Sequence, residues 1–169
     1  MIYLWEKHIF TEDEIKRLEA SRTNDDYEAI TALGLCYARG SNNYPFDRTI
    51  ATKLLNRAMK YKYAQAYYIY ALLVIDPTFV KTVDEAKHVT FLKRSANLGF
   101  DRAMSKLGDA FLYGRGVKQS YRDAENFLIK ARNKYSVDGL EELAKFYESE
   151  GYKEKATYLR DFKEKFRDL

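Results

Sequence analysis

The chain has 169 residues, 46% of them hydrophobic and 32% charged, enough for one domain or one short repeat array with an apolar core, in the proportions of a soluble helical protein. Its net charge of +4 comes from 29 basic and 25 acidic residues spread without a basic block, which argues against a dedicated nucleic-acid binder. The lone Cys36 excludes an intramolecular disulfide framework and gives no metal spacing, and is compatible with a reducing compartment.

Residues 1–26 read as an N-terminal capping segment. Its start shows no basic n-region, no long apolar stretch and no small-residue cleavage site, and no run in the chain approaches the roughly 18 apolar residues of a membrane span. The expected location is therefore the cytoplasm. Ile2, Leu4, Trp5, Ile9 and Phe10 are apolar without a clear helical or strand period. Thr11-Glu12-Asp13-Glu14 is a capping box, and Ile15 and Leu18 follow at helical spacing, which predicts a helix over 12–22. Thr23-Asn24-Asp25-Asp26 ends it and caps the next.

A first repeat is predicted over 27–63. Ala29, Leu33, Gly34 and Tyr37 mark its first helix, and Gly40-Ser41-Asn42-Asn43-Tyr44-Pro45 is turn chemistry. Asp47 caps a second helix carrying Ala51, Leu54 and Ala58. A second repeat, 64–100, places Ala66, Tyr70, Ala71 and Val74 on the first stripe, with Pro77 ending that helix. Asp84 caps its partner, whose stripe is His88, Phe91 and Ser95, closing at Gly99. In the third repeat, 101–136, Ala103, Leu107 and Phe111 lie one helical turn apart. Gly108 stands beside that stripe. A glycine inside a helix costs about 1 kcal/mol against alanine, so close approach of a neighbouring helix is its expected reason. Gly114 and Gly116 turn the chain, and Ala124, Phe127 and Ala131 form the next stripe. The fourth repeat and a C-terminal capping helix span 137–169, with Gly139, Leu143, Ala144 and Tyr147, a short Ser149-Glu150-Gly151 loop, then Ala156, Leu159, Phe162 and Phe166.

Ala29, Ala66, Ala103 and Gly139 stand 37, 37 and 36 residues apart, and Leu54, Phe91 and Phe127 stand 37 and 36 apart. Equal spacing of two independent markers implies one supersecondary unit repeated. A unit of about 36 residues holds two helices and two short turns. One pair cannot bury its own apolar face, so neighbours must stack. The expected fold is all-α: a right-handed superhelical α-solenoid of stacked antiparallel helix pairs. The residues of 103–131 resemble the Sel-one-like repeat, a relative of the tetratricopeptide repeat, and the resemblance extends over about residues 27–160.

Chemistry-bearing residues are sparse. Cys36 lies on a repeat's first helix, and nothing places His8 or His88 beside it, so a structural thiol is expected. His88 stands where repeats one and three carry Ala51 and Ala124, in a re-spaced second repeat; the alternative is a pH-sensitive or binding histidine. Glu141 with Glu142, and Asp25 with Asp26, form no acid–base constellation, and Gly114-Arg115-Gly116 lacks a Walker or dinucleotide context. The run from Arg57 to Tyr63 interleaves bases with aromatics but reads first as a helix C-terminus with dipole-complementing cations. No cofactor or metal is expected, and no enzyme.

The resemblance implies that first helices of successive repeats line a concave face that binds another protein. Positions off the packing stripe give four rows: Glu28, Thr31 and Leu35; Gln65, Tyr68 and Leu72; Arg102, Ser105, Asp109 and Leu112; Asp138, Glu141, Lys145 and Glu148. Tyr68, Leu72 and Leu112 suit an apolar anchor, and the acidic C-terminal end suits a basic stretch. The expected role is a non-enzymatic adaptor or scaffold, neither nucleic-acid- nor membrane-bound, as a monomer or weak homo-oligomer. The alternative is a dedicated cytosolic inhibitor, such as an immunity-type protein occluding one toxin or enzyme.

Overall fold

The computed structural model describes residues 10–131 and 136–165. His8, the apolar Ile2, Leu4, Trp5 and Ile9, and Phe166 lie outside the described residues, as do the last residues of the expected third and fourth repeats. Among the described residues the chain is all-helical, with nine α-helices: α1 Glu12–Ala20, α2 Tyr27–Arg39, α3 Arg48–Lys60, α4 Ala64–Leu73, α5 Glu85–Asn97, α6 Asp101–Tyr113, α7 Tyr121–Ala131, α8 Val137–Ser149 and α9 Lys153–Glu164. They fall into two compact units, residues 1–83 with α1–α4 and residues 84–169 with α5–α9. The division runs through the expected second repeat, between its two helices.

In the first unit, Thr11 closes the predicted capping box: its hydroxyl accepts from the Glu14 amide at 3.3 Å, and the Thr11 amide donates to the Glu14 carboxylate at 2.8 Å. α1 ends at Ala20, two residues short of expectation, because Ser21 donates its hydroxyl back to the Leu18 carbonyl at 2.6 Å. Asp26 and Asp47 cap α2 and α3 through the amides of Ala29 and Ile50. α1, α3 and α4 all pack on α2, and residues 29–38 are consequently buried without interruption. A helix apolar on every side is a core helix. Arg57 ties the end of α1 to α3, donating to the carbonyls of Ser21 at 3.1 Å, Arg22 at 2.9 Å and Asn24. This Arg57 thus serves the carbonyl end of α1 as well as lying near the end of its own helix.

α4 ends at Leu73, well before Pro77. Asp76 stops it by accepting from both the amide and the hydroxyl of Thr78, at 2.9 and 2.7 Å. That turn sends Phe79 back into the core, where it is 2% exposed. The expected stripe of this helix also shifts. Ala66, Ala71 and Val74 are buried, but Ile69 and Leu73 take the remaining core places and Tyr70 is only half-buried.

In the second unit, Asp84 caps α5 at the Lys87 amide, and Val89, Leu92, Ser95 and Ala96 form its buried stripe. His88 and Phe91, expected on that stripe, are half-buried. Ala51, Leu54, Ala58, Ser95, Ala124 and Ala131 are buried as expected, but His88, Phe91 and Phe127 are displaced, and the most deeply buried repeating marker of the second helices is Leu55, Leu92 and Leu128, each 0% exposed. α5, α7 and α8 pack on α6, and α9 on α8. Gly114 ends α6 at φ +70° and Gly116 follows at φ +66°. A Cβ on Gly116 would overlap the backbone carbonyl of Glu85, so this loop lies directly on the start of α5.

One hydrogen bond recurs whatever the loop length. The residue before the second helix donates its amide to the carbonyl of the aromatic residue late in the first: Asp47 to Tyr37 at 2.8 Å, Ser120 to Phe111 at 3.0 Å, and Tyr152 to Tyr147 at 2.8 Å. Each pair is thus closed the same way by a loop of different chemistry.

Candidate functional site

The packing geometry sets which first-helix positions reach solvent. At the α6–α7 crossing, a Cβ on Gly108 would lie 2.6 Å from Leu128 Cγ and 3.3 Å from the Leu128 amide nitrogen. Gly108 therefore sits at a helix crossing, as its sequence position predicts. Gly139 on α8 meets the same side chain, its Cβ position being 2.8 Å from Leu128 Cδ2. Leu128 thus fills a slot made by two missing side chains on two first helices. In the first unit Gly34 meets Leu55 in the same way, more loosely, at 3.1 Å.

Five of the fourteen positions expected to face a partner have no free surface. Thr31 and Leu35 are 3% and 5% exposed because α2 is enclosed on all sides, and the Thr31 hydroxyl donates to the Tyr27 carbonyl at 2.7 Å. Tyr68 is 7%, Ser105 1% and Leu112 4% exposed. Ser105 likewise turns inward, donating to the Asp101 carbonyl at 3.2 Å. Tyr68 and Leu112 are therefore core residues in place of apolar anchors. Sequence spacing alone treats an off-stripe position as outward, yet a helix packed by three neighbours has almost no outward face.

Among the remaining nine, Glu28, Glu141, Lys145 and Glu148 are held by ion pairs within the chain. Glu28 accepts from Arg17 at 3.0 Å, while the same guanidinium holds Asp26 at 2.6 and 3.0 Å. Glu141 pairs with Lys163, and with Arg160 at 3.5 Å. Arg160 also reaches Glu148 at 2.6 Å. Lys145 pairs with Glu142 at 2.9 Å. Hydrogen bonding from Lys163 holds the Glu141 carboxyl below its ordinary range, and Arg160 does the same for Glu148. The acidic end expected to read a basic partner is thus largely answered by α9.

Gln65, Leu72 and Arg102 are half-exposed, and Asp138 is exposed. Asp109 is the unusual one. It is half-buried, and no hydrogen bond or ion pair holds its carboxylate among the described residues. Burial pushes its pKa up; Lys106 and Arg115 oppose the shift, and Asp138 adds to it. The space comes from Gly139, whose Cβ would stand 2.9 Å from Asp109 Oδ1. Nearby, Tyr113 is 49% exposed with the Arg115 guanidinium 4.8 Å over its ring. Asp109 and Asp138 thus stand near one another as like charges on neighbouring first helices, α6 and α8.

The other candidates are structural. Cys36 is 3% exposed and desolvation pushes its thiol pKa up, the reverse of a nucleophile's requirement. Tyr61, in the basic–aromatic run, gives one face to Tyr27 at 4.8 Å while staying 53% exposed. Leu128, Gly139 as a packing glycine, and Phe79 escaped the sequence reading. Leu55, Leu92 and Leu128 do carry a signal, since they repeat at the same 37- and 36-residue spacing as their neighbours.

No protein-family model matches the sequence. No curated protein matches it either. Solved structures do match in fold. One is a protective antigen present in uropathogenic Escherichia coli strains and displaying an SLR fold, at TM-score 0.73 and 21% identity over 88% of this chain and 32% of that one. Another is a Sel1 repeat protein from Oxalobacter formigenes, at TM-score 0.70 and 24% identity over 89% of this chain and 63% of that one. The chain spans about a third of the first and under two thirds of the second. The shared architecture is the all-helical Sel1-like repeat fold.

Proposed function

We propose that this chain, built on the Sel1-like repeat fold, is a non-enzymatic protein-interaction module that acts in the cytoplasm as an adaptor or scaffold. The observation that carries the reading is the arrangement on α6 and α8. Two packing glycines bring the helices close, and Asp109 is left partly dehydrated, with Lys106 and Arg115 acting on it only through space and no ion pair closed on it among the described residues. A buried charge normally finds a counter-ion. A cation supplied by a partner protein meets that requirement, with the exposed Tyr113 beside it as an aromatic contact. Within the first unit, Gln65 and Leu72 are the first-helix positions that remain accessible.

The test is affinity capture with the full chain and with Asp109→Asn/Asp138→Asn, the variant first checked for parental helicity and a cooperative melt no lower than the parent's. A single dominant partner lost from the variant, in one-to-one stoichiometry, indicates a dedicated inhibitor. Several partners lost together indicate an adaptor. Partners that all survive refute binding at α6 and α8.

A further inference from the structure

A second surface, on the opposite class of helix, is carried by the first unit. A cavity of about 600 Å³ lies along α3, with Ile50 and Leu54 among its lining and Arg22, Lys53, Arg57 and Lys60 contributing cations; no carboxylate belongs to its lining. Lys53, Arg57 and Lys60 are spaced four and three residues apart, so they share one stripe of α3. The four cations are not equivalent. Arg57 is occupied with the carbonyls at the end of α1 and with Asp25 at 3.3 Å. Arg22 is held by Glu19 at 2.6 Å and by the Tyr37 hydroxyl at 2.6 Å. Lys53 and Lys60 are exposed and have no partner among the described residues. Two fixed arginines thus frame a concave, largely apolar surface, with two free ammonium groups two helical turns apart, about 10 Å along the axis.

We infer that this cavity is a docking site for an acidic peptide segment of a partner protein, in which an apolar side chain is flanked by carboxylates. The apolar side chain rests on half-buried Ile50 with Leu54, 8% exposed, as the floor beneath it, and the carboxylates pair with Lys53 and Lys60. In an extended segment only residues i, i+2 and i+4 share a face, and they span about 13 Å, which two flexible lysine side chains about 10 Å apart can meet, so an acidic–x–apolar–x–acidic order fits. The arginines shape the rim, because their geometry is set by bonds within the chain, while their pairing with Asp25 and Glu19 leaves the charge recognition to Lys53 and Lys60. A nucleic acid is disfavoured. Its recognition along a single strand draws on free aromatic platforms, the cavity is lined by none, and Tyr61 at the end of the same helix is already stacked on Tyr27. The site does not depend on the reading of Asp109 and Asp138, which lie in the other unit and would select the opposite charge.

The test is a displayed random-peptide library selected on the full chain, with the enriched peptides then titrated by fluorescence anisotropy. Lys53→Glu/Lys60→Glu is the site variant and Lys106→Glu/Lys118→Glu the charge-matched control. Circular dichroism verifies that both fold like the parent. The expected result is enrichment of peptides with two acidic residues flanking an apolar one, weakened at least tenfold by the site variant and less than twofold by the control. Enriched peptides that lack acidic residues, or that bind the site variant as well as the parent, overturn the proposal. So does a single-stranded oligonucleotide that displaces the acidic peptides and binds the parent more tightly than they do. Loss of capture by the Asp109/Asp138 variant with peptide binding intact refers to the other surface alone.

Discussion

The pairs α2–α3 and α6–α7 use one sequence device at two tightnesses. Each first helix carries a Leu-Gly dipeptide, and each second helix drives a leucine onto the glycine. At Gly34 the nearest atom to a new Cβ is Leu55 Cγ at 3.1 Å, all nearby contacts being with side chains. At Gly108 it is Leu128 Cγ at 2.6 Å, with the Leu128 backbone only 3.3 Å away, and Gly139 closes the slot from α8. A side chain can rotate away from an intruding methyl, whereas a backbone held in a helix cannot. The same glycine is therefore a convenience in the first pair and a necessity in the second. The loops, residues 40–47 and 114–120, differ by one in length and both begin with a glycine at positive φ, but the first then places Asn42 and Asn43 at positive φ where the second uses Gly116.

The largest expected effect is at Gly116. Alanine there would face both a left-handed φ and the immovable Glu85 carbonyl, and should cost about 3 kcal/mol or more by denaturant unfolding. A midpoint equal to that of the parent would show that the loop does not rest on α5. Next, Gly108→Val should cost about 1–3 kcal/mol through overpacking, read as a lowered melting temperature with cooperativity retained. Gly34→Ala is the sharpening control. Its mild overlap is offset by the gain of about 1 kcal/mol in helix propensity, so the net change should stay within about 1 kcal/mol of zero. If Gly34→Ala proves as damaging as Gly108→Val, the two crossings are equally tight and the contrast fails.

The smallest effects separate two carboxylates of the second unit by sign. Asp109 has a pKa raised by burial, so its ionised form opposes folding, and that cost is relieved as pH falls through its folded pKa. Because burial outweighs the opposing pull of Lys106 and Arg115, Asp109→Asn should melt slightly higher than the parent at neutral pH, with the advantage shrinking on acidification below the raised pKa. Glu141 is the reverse case. Its pKa is lowered by Lys163, so its contribution is present above the ordinary carboxylate pKa and lost as pH falls through the folded one. Glu141→Gln should melt slightly lower at neutral pH and converge on the parent in acid. Melting curves across pH 3–8, within about the range where carboxylates titrate, distinguish the two. Parallel curves for both variants would remove the dehydrated carboxylate on which the α6–α8 surface rests.

Much of the fold was legible because its signals are local. Thr11 with Glu14, Asp26, Asp47 and Asp84 each satisfy amides within three residues, and Gly114 needs only its own φ to end a helix. The candidate surface was less legible, since it depends on which neighbours cover a helix. Thr31, Leu35, Tyr68, Ser105 and Leu112 occupy off-stripe positions that read as outward, yet all are buried. Glu141 and Glu148 read as an open acidic row, yet their counter-ions Arg160 and Lys163 arrive from a helix twelve or more residues later. The one-residue shift from Phe127 to Leu128 has the same origin: adjacent residues share the period, and only the contact with Gly108 tells them apart.

The sequence by itself determined the all-helical class, the 36–37-residue period, the caps and the glycine at the α6–α7 crossing, because these follow from spacing and from bonds between residues close in the chain. The tertiary structure alone decided that α2 is enclosed, that Leu128 is gripped by Gly108 and Gly139 together, that Asp109 is partly dehydrated with no ion pair closed on it among the described residues, and that Lys53 and Lys60 border an apolar cavity. Burial and ion pairing are set by which surfaces meet, and helices joined by loops of different length meet at positions that no local spacing encodes.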